Sequence, residues 1–417
     1  MPVGIISLAG LLRKNKYEVS ILDNALKHYT DIDLIKVISN VNPDIIGIGG
    51  MTLQFVDMKR LAKLINKSFP DTMLVGGGVH VTVKPEEAID LFDIIVVGEG
   101  EHTLLEVCQR YMDTLDRSGQ IYHDIAGICY KSGTGGVHYT NERALIKNLD
   151  DLPFPAYDLL DMKEYANNDI SFITILTSRG CPFDCIFCAS PCIYKRQVRF
   201  HSSDYVLSLM QYLSGTYQRN HFRFMDDIFT LDHNRVIEFC ANLIRNDNKY
   251  AMDCSTHVKE DNREIYKIMK EAGFFLIGLG IESGNDTVLK NINKGITVDD
   301  AISSIYAIKD VGLSVQGLFM IGNIGESEDT IMDTINFAVK YNPPLNMGRR
   351  IGSNIFQYAT PYPGSFFYDV YKNFGHIIPA ENGTFPLETP TFIPFGLTRE
   401  KLIELWSLAW RKAEMGV

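Results

Sequence analysis

The sequence predicts an α/β protein with two parallel-sheet domains: a doubly wound, Rossmann-like front domain, then a partial (β/α)6 TIM-type barrel and a short C-terminal helical tail. Three observations carry this. Over the first ~110 residues, continuous Val/Ile/Leu runs ending in glycine alternate with amphipathic segments, as in a parallel sheet covered on both faces. A Pro- and Gly-rich stretch then breaks the rhythm. From "FITILTS" onward six longer strand–helix units follow, with polar residues recurring where the strands end.

In order, "EVSILDN" reads as a strand, "DLIKVISNV" as a helix, "DIIGIGG" as a strand and "DMKRLAKLINKSF" as a helix. "TMLVGGG" and "DIIVVGEGE" read as strands separated by a helical "KPEEAIDLF". The chain opens on a helix, where a doubly wound domain normally opens on a strand. "AGICYKSGTGGVHYT" reads as a hairpin around a Gly-rich turn, and "LDDLPFPAYDLL" as a connector. The barrel strands are 172–178, "HFRFMDD", "YAMDCSTH", "FFLIGLGIES", "LSVQGLFMIG" and "GSNIFQYAT", and "TREKLIELWSLAWRKAEM" is an amphipathic helix expected to pack on the barrel. The predicted boundaries are 1–118 for the front domain, 119–170 for hairpin and linker, 171–368 for the barrel and 369–417 for the tail.

Composition narrows the function classes. A net charge of -11 offers no basic face for nucleic acid. The longest apolar stretches fall short of the ~20 residues that span a bilayer, and the N-terminus lacks the pattern of a signal peptide. The expectation is a cytoplasmic protein, in which eight cysteines point to metal binding or buried thiols rather than disulfides.

Three of those cysteines, Cys181, Cys185 and Cys188, stand together in "RGCPFDCIFCA", directly after the first barrel strand. A structural zinc site closes its tetrahedron with four protein ligands. A cubane iron–sulfur cluster takes one ligand per iron, so three cysteines leave one iron open for chemistry. Cys192 is either a fourth ligand or a spare thiol, and zinc completed by a distant residue is the other alternative. Cys108, Cys129, Cys240 and Cys254 fall in predicted helices and strands and read as core residues.

This C-x3-C-x2-C loop resembles that of the radical S-adenosylmethionine enzymes. The resemblance implies a [4Fe-4S] cluster on the three cysteines, with S-adenosylmethionine on the open iron as the source of a 5'-deoxyadenosyl radical. It implies that Phe187 packs near the adenine, and that Asp226 or Asp227 of "FMDD" holds the methionine amino group. Glu282 and Ser283 of "GIES" would reach the ribose or amino end, and Gly322 and Glu326 of "GLFMIGNIGES" would run beside the adenine. "PYPGS" at 361–365 resembles the turn after the sixth strand. After the third strand His257 stands where related sequences usually carry arginine, which makes it a candidate acid/base or substrate group.

The front domain resembles the cobalamin-binding domain that precedes this barrel in one subgroup, through "PDIIGIGGMT", "VGGGVHVTVKPEE" and "VGEGEHT". The resemblance implies that Met51, Thr52 and Leu53 lie beneath the cobalt. Gly76, Gly77, Gly78 and His80 would line the nucleotide tail, and Gly98, Glu99 and Gly100 would complete the pocket. Read alone, the glycines only permit tight turns. No Asp-x-His-x-x-Gly cobalt-ligand stretch occurs, and the strand ending in Asn-Pro-Pro that opens such domains has no counterpart, so a front sheet without its first strand is expected.

The implied function is methylation of an unactivated carbon, or of phosphorus, with cobalamin as methyl carrier. Expected partners are a small-molecule or carrier-bound substrate and an external electron donor such as flavodoxin or ferredoxin. The alternatives are a radical rearrangement or oxidative cyclisation without methyl transfer, and a front domain serving as a partner- or carrier-binding module.

Overall fold

The computed structural model describes residues 1–133, 135–168, 170–247, 249–342, 354–378 and 388–415. Two compact units are present: one of Met1–Ile170 with Ala189–Lys195, the other of Ser171–Cys188 with the described residues from Arg196 onward.

In the first unit the apolar runs form three parallel strands, β1 (Ile45–Gly49), β2 (Met73–Gly77) and β3 (Ile94–Val96), with Ile45 beside Met73 and Val75 beside Ile94. Both faces are covered. Helices Asp31–Val41 and Phe55–Ser68 bury Ile38, Phe55, Met58 and Ile65 against Leu74 and Ile95. On the other face Val107 and Tyr111 of helix Glu101–Thr114 meet Met73, Val75 and Ile94. Each such side chain contributes about 1.5–3 kcal/mol on burial; β2 and β3 are buried as their continuity requires, whereas the edge strand β1 stays half-buried to exposed. The opening helix, Val3–Lys14, packs on Glu101–Thr114, and the Ser7 hydroxyl donates to the buried Glu101 carboxylate at 2.8 Å.

Three features differ from expectation. "EVSILDN" is not a strand: it lies in irregular chain that enters a short helix at Asn24–Lys27. No strand pairs with it, and its flanks are tied instead by side chains, Lys27 to Asp161 at 2.5 Å and Tyr165 to Asp23. "KPEEAIDLF" forms only a 3-10 turn at Pro85–Glu87, because few residues separate the helix Val79–Val83 from β3. The hairpin strands, β4 (Ile128–Lys131) and β5 (Val137–Tyr139), are not a free connector: β4 pairs antiparallel with β3 and extends the sheet to five strands. Thr134 of its turn lies outside the described residues.

The second unit contains β6 (Ile173–Ile175), β7 (His221–Phe224), β8 (Ala251–His257), β9 (Phe274–Glu282), β10 (Ser314–Ile321) and β11 (Ile355–Tyr358). They form one parallel sheet in chain order. Helices cover its outer face, where Phe224 meets Phe239 and Phe319 meets Phe337. On β10 the alternate residues Ser314, Gln316, Leu318 and Met320 stay half-exposed on the inner face. The predicted tail helix, Arg399–Met415, packs on the edge strand: Trp406 stacks on Tyr358, and its indole N–H donates to the Phe356 carbonyl at 2.9 Å. The start of the sixth predicted strand and residues 379–387 of the Pro-rich tail lie outside the described residues.

Two glycines test this packing in opposite directions. Gly273 ends helix Arg263–Ala272 at φ 107°, and a Cβ there would sit 2.2 Å from the Tyr250 carbonyl oxygen. Gly273→Ala is expected to lower unfolding free energy by about 2 kcal/mol or more. Gly215 lies exposed in helix Ser203–Tyr217 with open space around it, and Gly215→Ala is expected to add about 0.5–1 kcal/mol. Urea titration of each variant measures both.

Candidate active site

The three-cysteine loop leaves the carboxyl edge of β6 after Gly180, whose φ of 92° turns the chain. Its three cysteines form no disulfide and are half-buried. By contrast the thiols of Cys108, Cys129 and Cys240 are sunk in the core, where burial pushes each up to about 12. The loop is held by backbone: Ile186 N–H donates to the Ile292 carbonyl at 3.1 Å, and Phe367 N–H to the Ile186 carbonyl at 2.8 Å. The Asn293 amide adds a bond to the Asp184 carbonyl at 2.8 Å. Among the described residues no three His, Cys, Asp or Glu side chains converge as ligands of a single ion. A cubane asks for something else, one thiol per iron, and three half-buried cysteines outside any disulfide on one anchored loop fit it.

The two aspartates of "FMDD" part company. Asp226 is fully buried; its carboxylate accepts from Thr177 N–H at 2.6 Å, from Ser178 N–H at 3.1 Å and from the Thr177 hydroxyl. Burial raises its pKa, against the pull of Arg235 and those bonds. Asp226 thus clamps the chain where it leaves β6. Asp227 is exposed, within electrostatic reach of the Cys181 sulfur.

Glu282 ends β9 past a register shift, with φ 71°, in the left-handed region that a non-glycine residue enters only under constraint. Its carboxylate, 9% exposed as a residue, pairs with the Lys294 ammonium at 2.9 Å. Lys294 is a site residue that the sequence reading missed. It is fully buried, and although burial alone would lower its pKa, Glu282, Cys185 and Cys181 together raise it. Its ammonium lies 6.0 Å over the Phe187 ring. The available signal was a charged residue in "NKGIT", directly after the loop that anchors the cysteines. Ser283 is turned away: its hydroxyl meets Thr334 at 3.0 Å and accepts from Asn285 N–H.

After β10 the Glu326 carboxylate closes a turn, one oxygen accepting from Gly322 N–H at 2.6 Å and Asn323 N–H at 2.7 Å. Its other oxygen is buried without a partner, and Phe187 packs beside Ile324 of the same turn. His257, at the end of β8, lies flat on Phe183 of the cysteine loop, ring centroids 3.9 Å apart. Its Nδ1 accepts from Lys259 N–H at 3.1 Å. Burial, with Lys294 and Lys259 nearby, lowers its pKa to about 3, which keeps the imidazole neutral. The structure therefore brings Cys181, Cys185, Phe187, Asp227, Glu282 and Lys294 into one neighbourhood, while Asp226 and Ser283 are engaged by the fold.

In the first unit Met51 is exposed, Thr52 buried and Leu53 half-buried in the turn after β1. Gly78, at φ 100°, passes so close to Gly50 that a Cβ would lie 2.3 Å from its carbonyl oxygen. Over Gly77 and Gly98, by contrast, a Cβ would meet nothing within 4 Å. Gly76 lies over the Phe92 ring, and Gly100 beside Leu8. Gly98 N–H donates to Thr82 at 3.1 Å, and the Glu99 carboxylate accepts from Ile146 N–H at 2.9 Å. His80 is buried and stacked on Phe55 at 3.7 Å, its Nε2 facing Glu87 and its Nδ1 without a partner. Open glycine backbone at the carboxyl ends of β2 and β3 fits a large flat macrocycle.

Glu326 gives this region a pH signature. Burial outweighs its two backbone bonds and lifts its pKa from 4.5 to about 7. A carboxyl held above its unfolded value binds protons more tightly when folded, so its contribution is complete below about pH 4.5 and is lost as pH rises through about 7. Relative to Glu326→Gln, the unmodified protein is expected to lose stability across that window. Denaturant titrations of both at several pH values check it.

Comparison with known proteins bears on both units. The Radical SAM superfamily model matches residues 175–338, and the B12 binding domain model matches residues 1–108. The chain is 34% identical over 367 residues to an uncharacterized methyltransferase of Pyrococcus horikoshii, covering 87% of this chain and 77% of that one. It is 26% identical over 415 residues to the anaerobic magnesium-protoporphyrin IX monomethyl ester cyclase of Rubrivivax gelatinosus, 97% of this chain and 72% of that one. Among solved structures it shares the fold of the cobalamin-dependent S-adenosylmethionine radical enzyme OxsB with aqua-cobalamin and S-adenosylmethionine bound. That match has a TM-score of 0.71 and 21% identity over 84% of this chain, which spans about half (51%) of OxsB. A thiol loop at the edge of a parallel partial barrel, a glycine-edged front sheet, both family matches and the Pyrococcus relative agree: the chain belongs to the radical S-adenosylmethionine enzymes that carry a B12-binding domain, with a [4Fe-4S] cluster, S-adenosylmethionine and cobalamin as cofactors.

Proposed function

We propose that this enzyme methylates an unactivated carbon of a small-molecule substrate. The observation that carries the reading is the anchored three-thiol loop with the buried Lys294–Glu282 pair beside it, in a chain that also holds a B12-binding domain. When bound, the cofactors supply a carbon-centred radical that removes hydrogen and a methyl group that replaces it.

The roles of the chain's own residues follow from their chemistry. Cys181, Cys185 and Cys188 hold the cluster. Lys294, a buried cation, suits the carboxylate of S-adenosylmethionine, and exposed Asp227 suits its amino group. Glu282 keeps Lys294 charged and placed, since a buried ammonium without a partner costs several kcal/mol. Phe187 and the turn Gly322–Glu326 offer an apolar wall with one open carboxyl oxygen for the adenine side. In the first unit Met51, Thr52 and Leu53 would lie under the corrin. Gly76, Gly77, Gly78, His80, Gly98, Glu99 and Gly100 would line the rest of that pocket. Neutral, stacked His257 suits a positioning role for the cysteine loop better than proton transfer. A flavodoxin or ferredoxin would provide electrons in a cytoplasmic setting; no helix among the described residues is long and apolar enough to cross a membrane.

The likeness to the Rubrivivax cyclase favours a second reading, ring closure without methyl transfer. Product mass decides: anaerobic turnover with candidate substrates is expected to yield a gain of one methylene unit, and a product that has only lost hydrogen would transfer the assignment to cyclisation. Cys185→Ala is expected to abolish both cluster absorption and reductive cleavage of S-adenosylmethionine; an intact cluster signal would refute the ligand set. Lys294→Met is expected to retain the cluster and weaken S-adenosylmethionine binding about 10-fold or more, measured by equilibrium dialysis. Glu282→Gln, which strips Lys294 of the carboxylate that keeps it charged, is expected to retain the cluster and weaken binding as well.

A further inference from the structure

The inner face of the second unit carries a charged cluster far from the cysteine edge. Asp253 of β8 is 6% exposed, and its two carboxylate oxygens go to different partners: Arg223 Nε at 2.6 Å and His221 Nε2 at 2.7 Å. The Arg223 guanidinium lies over the Phe172 ring at 3.9 Å. The His221 ring meets Phe172 and Phe275 edge-on, at 5.6 and 5.3 Å. The guanidinium is therefore fixed along its Nε edge and across one face. Its terminal Nη1 and Nη2 make no hydrogen bond among the described residues, and the side chain keeps 36% of its exposure. An arginine serving only to neutralise Asp253 would present two N–H groups to that carboxylate. Here the carboxylate is shared with a histidine, and the end-on fork, the geometry that grips an oxyanion, is left over.

The strand register extends this face toward the cofactor edge. Arg223 stands beside Asp253, and two steps along β8 Ser255 stands beside Gly278, which in turn neighbours Gln316 on β10. Two further steps bring His257 beside Gly280. A Cβ on Gly278 would sit 2.7 Å from the Ser255 hydroxyl, which would have to turn aside. Gln316 is half-exposed. The four residue steps from Asp253 to His257 span about 13 Å.

We infer that Arg223, oriented by Asp253 and His221, binds the carboxylate or phosphate terminus of an elongated substrate whose reacting carbon lies about 13 Å away, at the cysteine edge of the same sheet. This deepens the proposed function and rests on it for the identity of the reacting end. The anion site itself is tested without turnover.

Isothermal calorimetry on the full chain, reconstituted with cluster and cobalamin, would compare decanoate, decyl phosphate and decanol. One of the anions is expected to bind at least ten-fold more tightly than decanol, and the tighter of the two names the terminus as carboxylate or phosphate. Arg223→Gln, which leaves Asp253 with His221 alone and is expected to lower the melting temperature, is expected to reduce anion binding ten-fold or more in the folded protein, and Arg223→Lys to restore part of it. Equal binding of decanol, no binding of either anion, or anion binding untouched in Arg223→Gln would overturn the inference. Should Arg223→Gln fail to fold, the anion-over-alcohol preference of the unmodified protein decides alone. Anion selectivity without methylated product would leave this site standing and remove the methyl-transfer reading; methylation without anion selectivity would do the reverse.

Discussion

Parallel strands cannot be joined by tight turns, and both units are organised around that constraint. Each such connection must cross back over a face, so the parallel strands of a sheet end at the same edge and hand their loops to one place. In the second unit that edge receives the cysteine loop from β6, Asp226 and Asp227 from β7, His257 from β8, Glu282 from β9 and the Gly322–Glu326 turn from β10. In the first it receives the turns after β1, β2 and β3. The outer face of the second sheet is spent on helices, which leaves the inner face and the carboxyl edge for ligands.

Within that edge, burial sorts the charged groups. Asp226 is enclosed and spends its oxygens on the backbone of Thr177 and Ser178, which makes it part of the frame that launches the cysteine loop. Asp227, one residue on, is exposed to water within electrostatic reach of the Cys181 sulfur. Lys294 is the unusual member, a fully buried cation paired with the Glu282 carboxylate. An isolated ammonium there would shed its proton; paired with that carboxylate it becomes a fixed positive charge beside the cluster loop. The flat stack of His257 on Phe183 works in the same direction, stiffening that loop without adding charge.

What the sequence revealed follows the range of the forces involved. Apolar runs ending in glycine named β1, β2 and β3, as expected of a covered parallel sheet, while the longer strand–helix alternation with polar strand ends named the barrel strands. The cysteine spacing was legible because its chemistry is local. "EVSILDN" shows the limit: its alternation suits a strand, but a strand exists only with a neighbour, and none lies beside it. The hairpin was recognised while its attachment to β3 was not, since that pairing is also non-local. Lys294 escaped notice for the same reason: its meaning comes from Glu282 and Cys185, which only folding brings to it. Equally, nothing in "FMDD" distinguishes the buried aspartate that clamps the chain from the exposed one beside it.

Glu282 bears on how this chain can diverge over evolutionary time. Its left-handed backbone would be relaxed by glycine, so mutation toward glycine is locally favourable. Yet loss of the carboxylate strands Lys294 as an unpaired buried cation, a penalty larger than the strain relieved. Lys294 is bound by the reciprocal argument. Neither position can drift alone, and the two form an epistatic pair whose replacement must be simultaneous. Across divergent descendants of this chain, these two positions should therefore change together or not at all, while the surrounding inner face is free to adapt to new substrates.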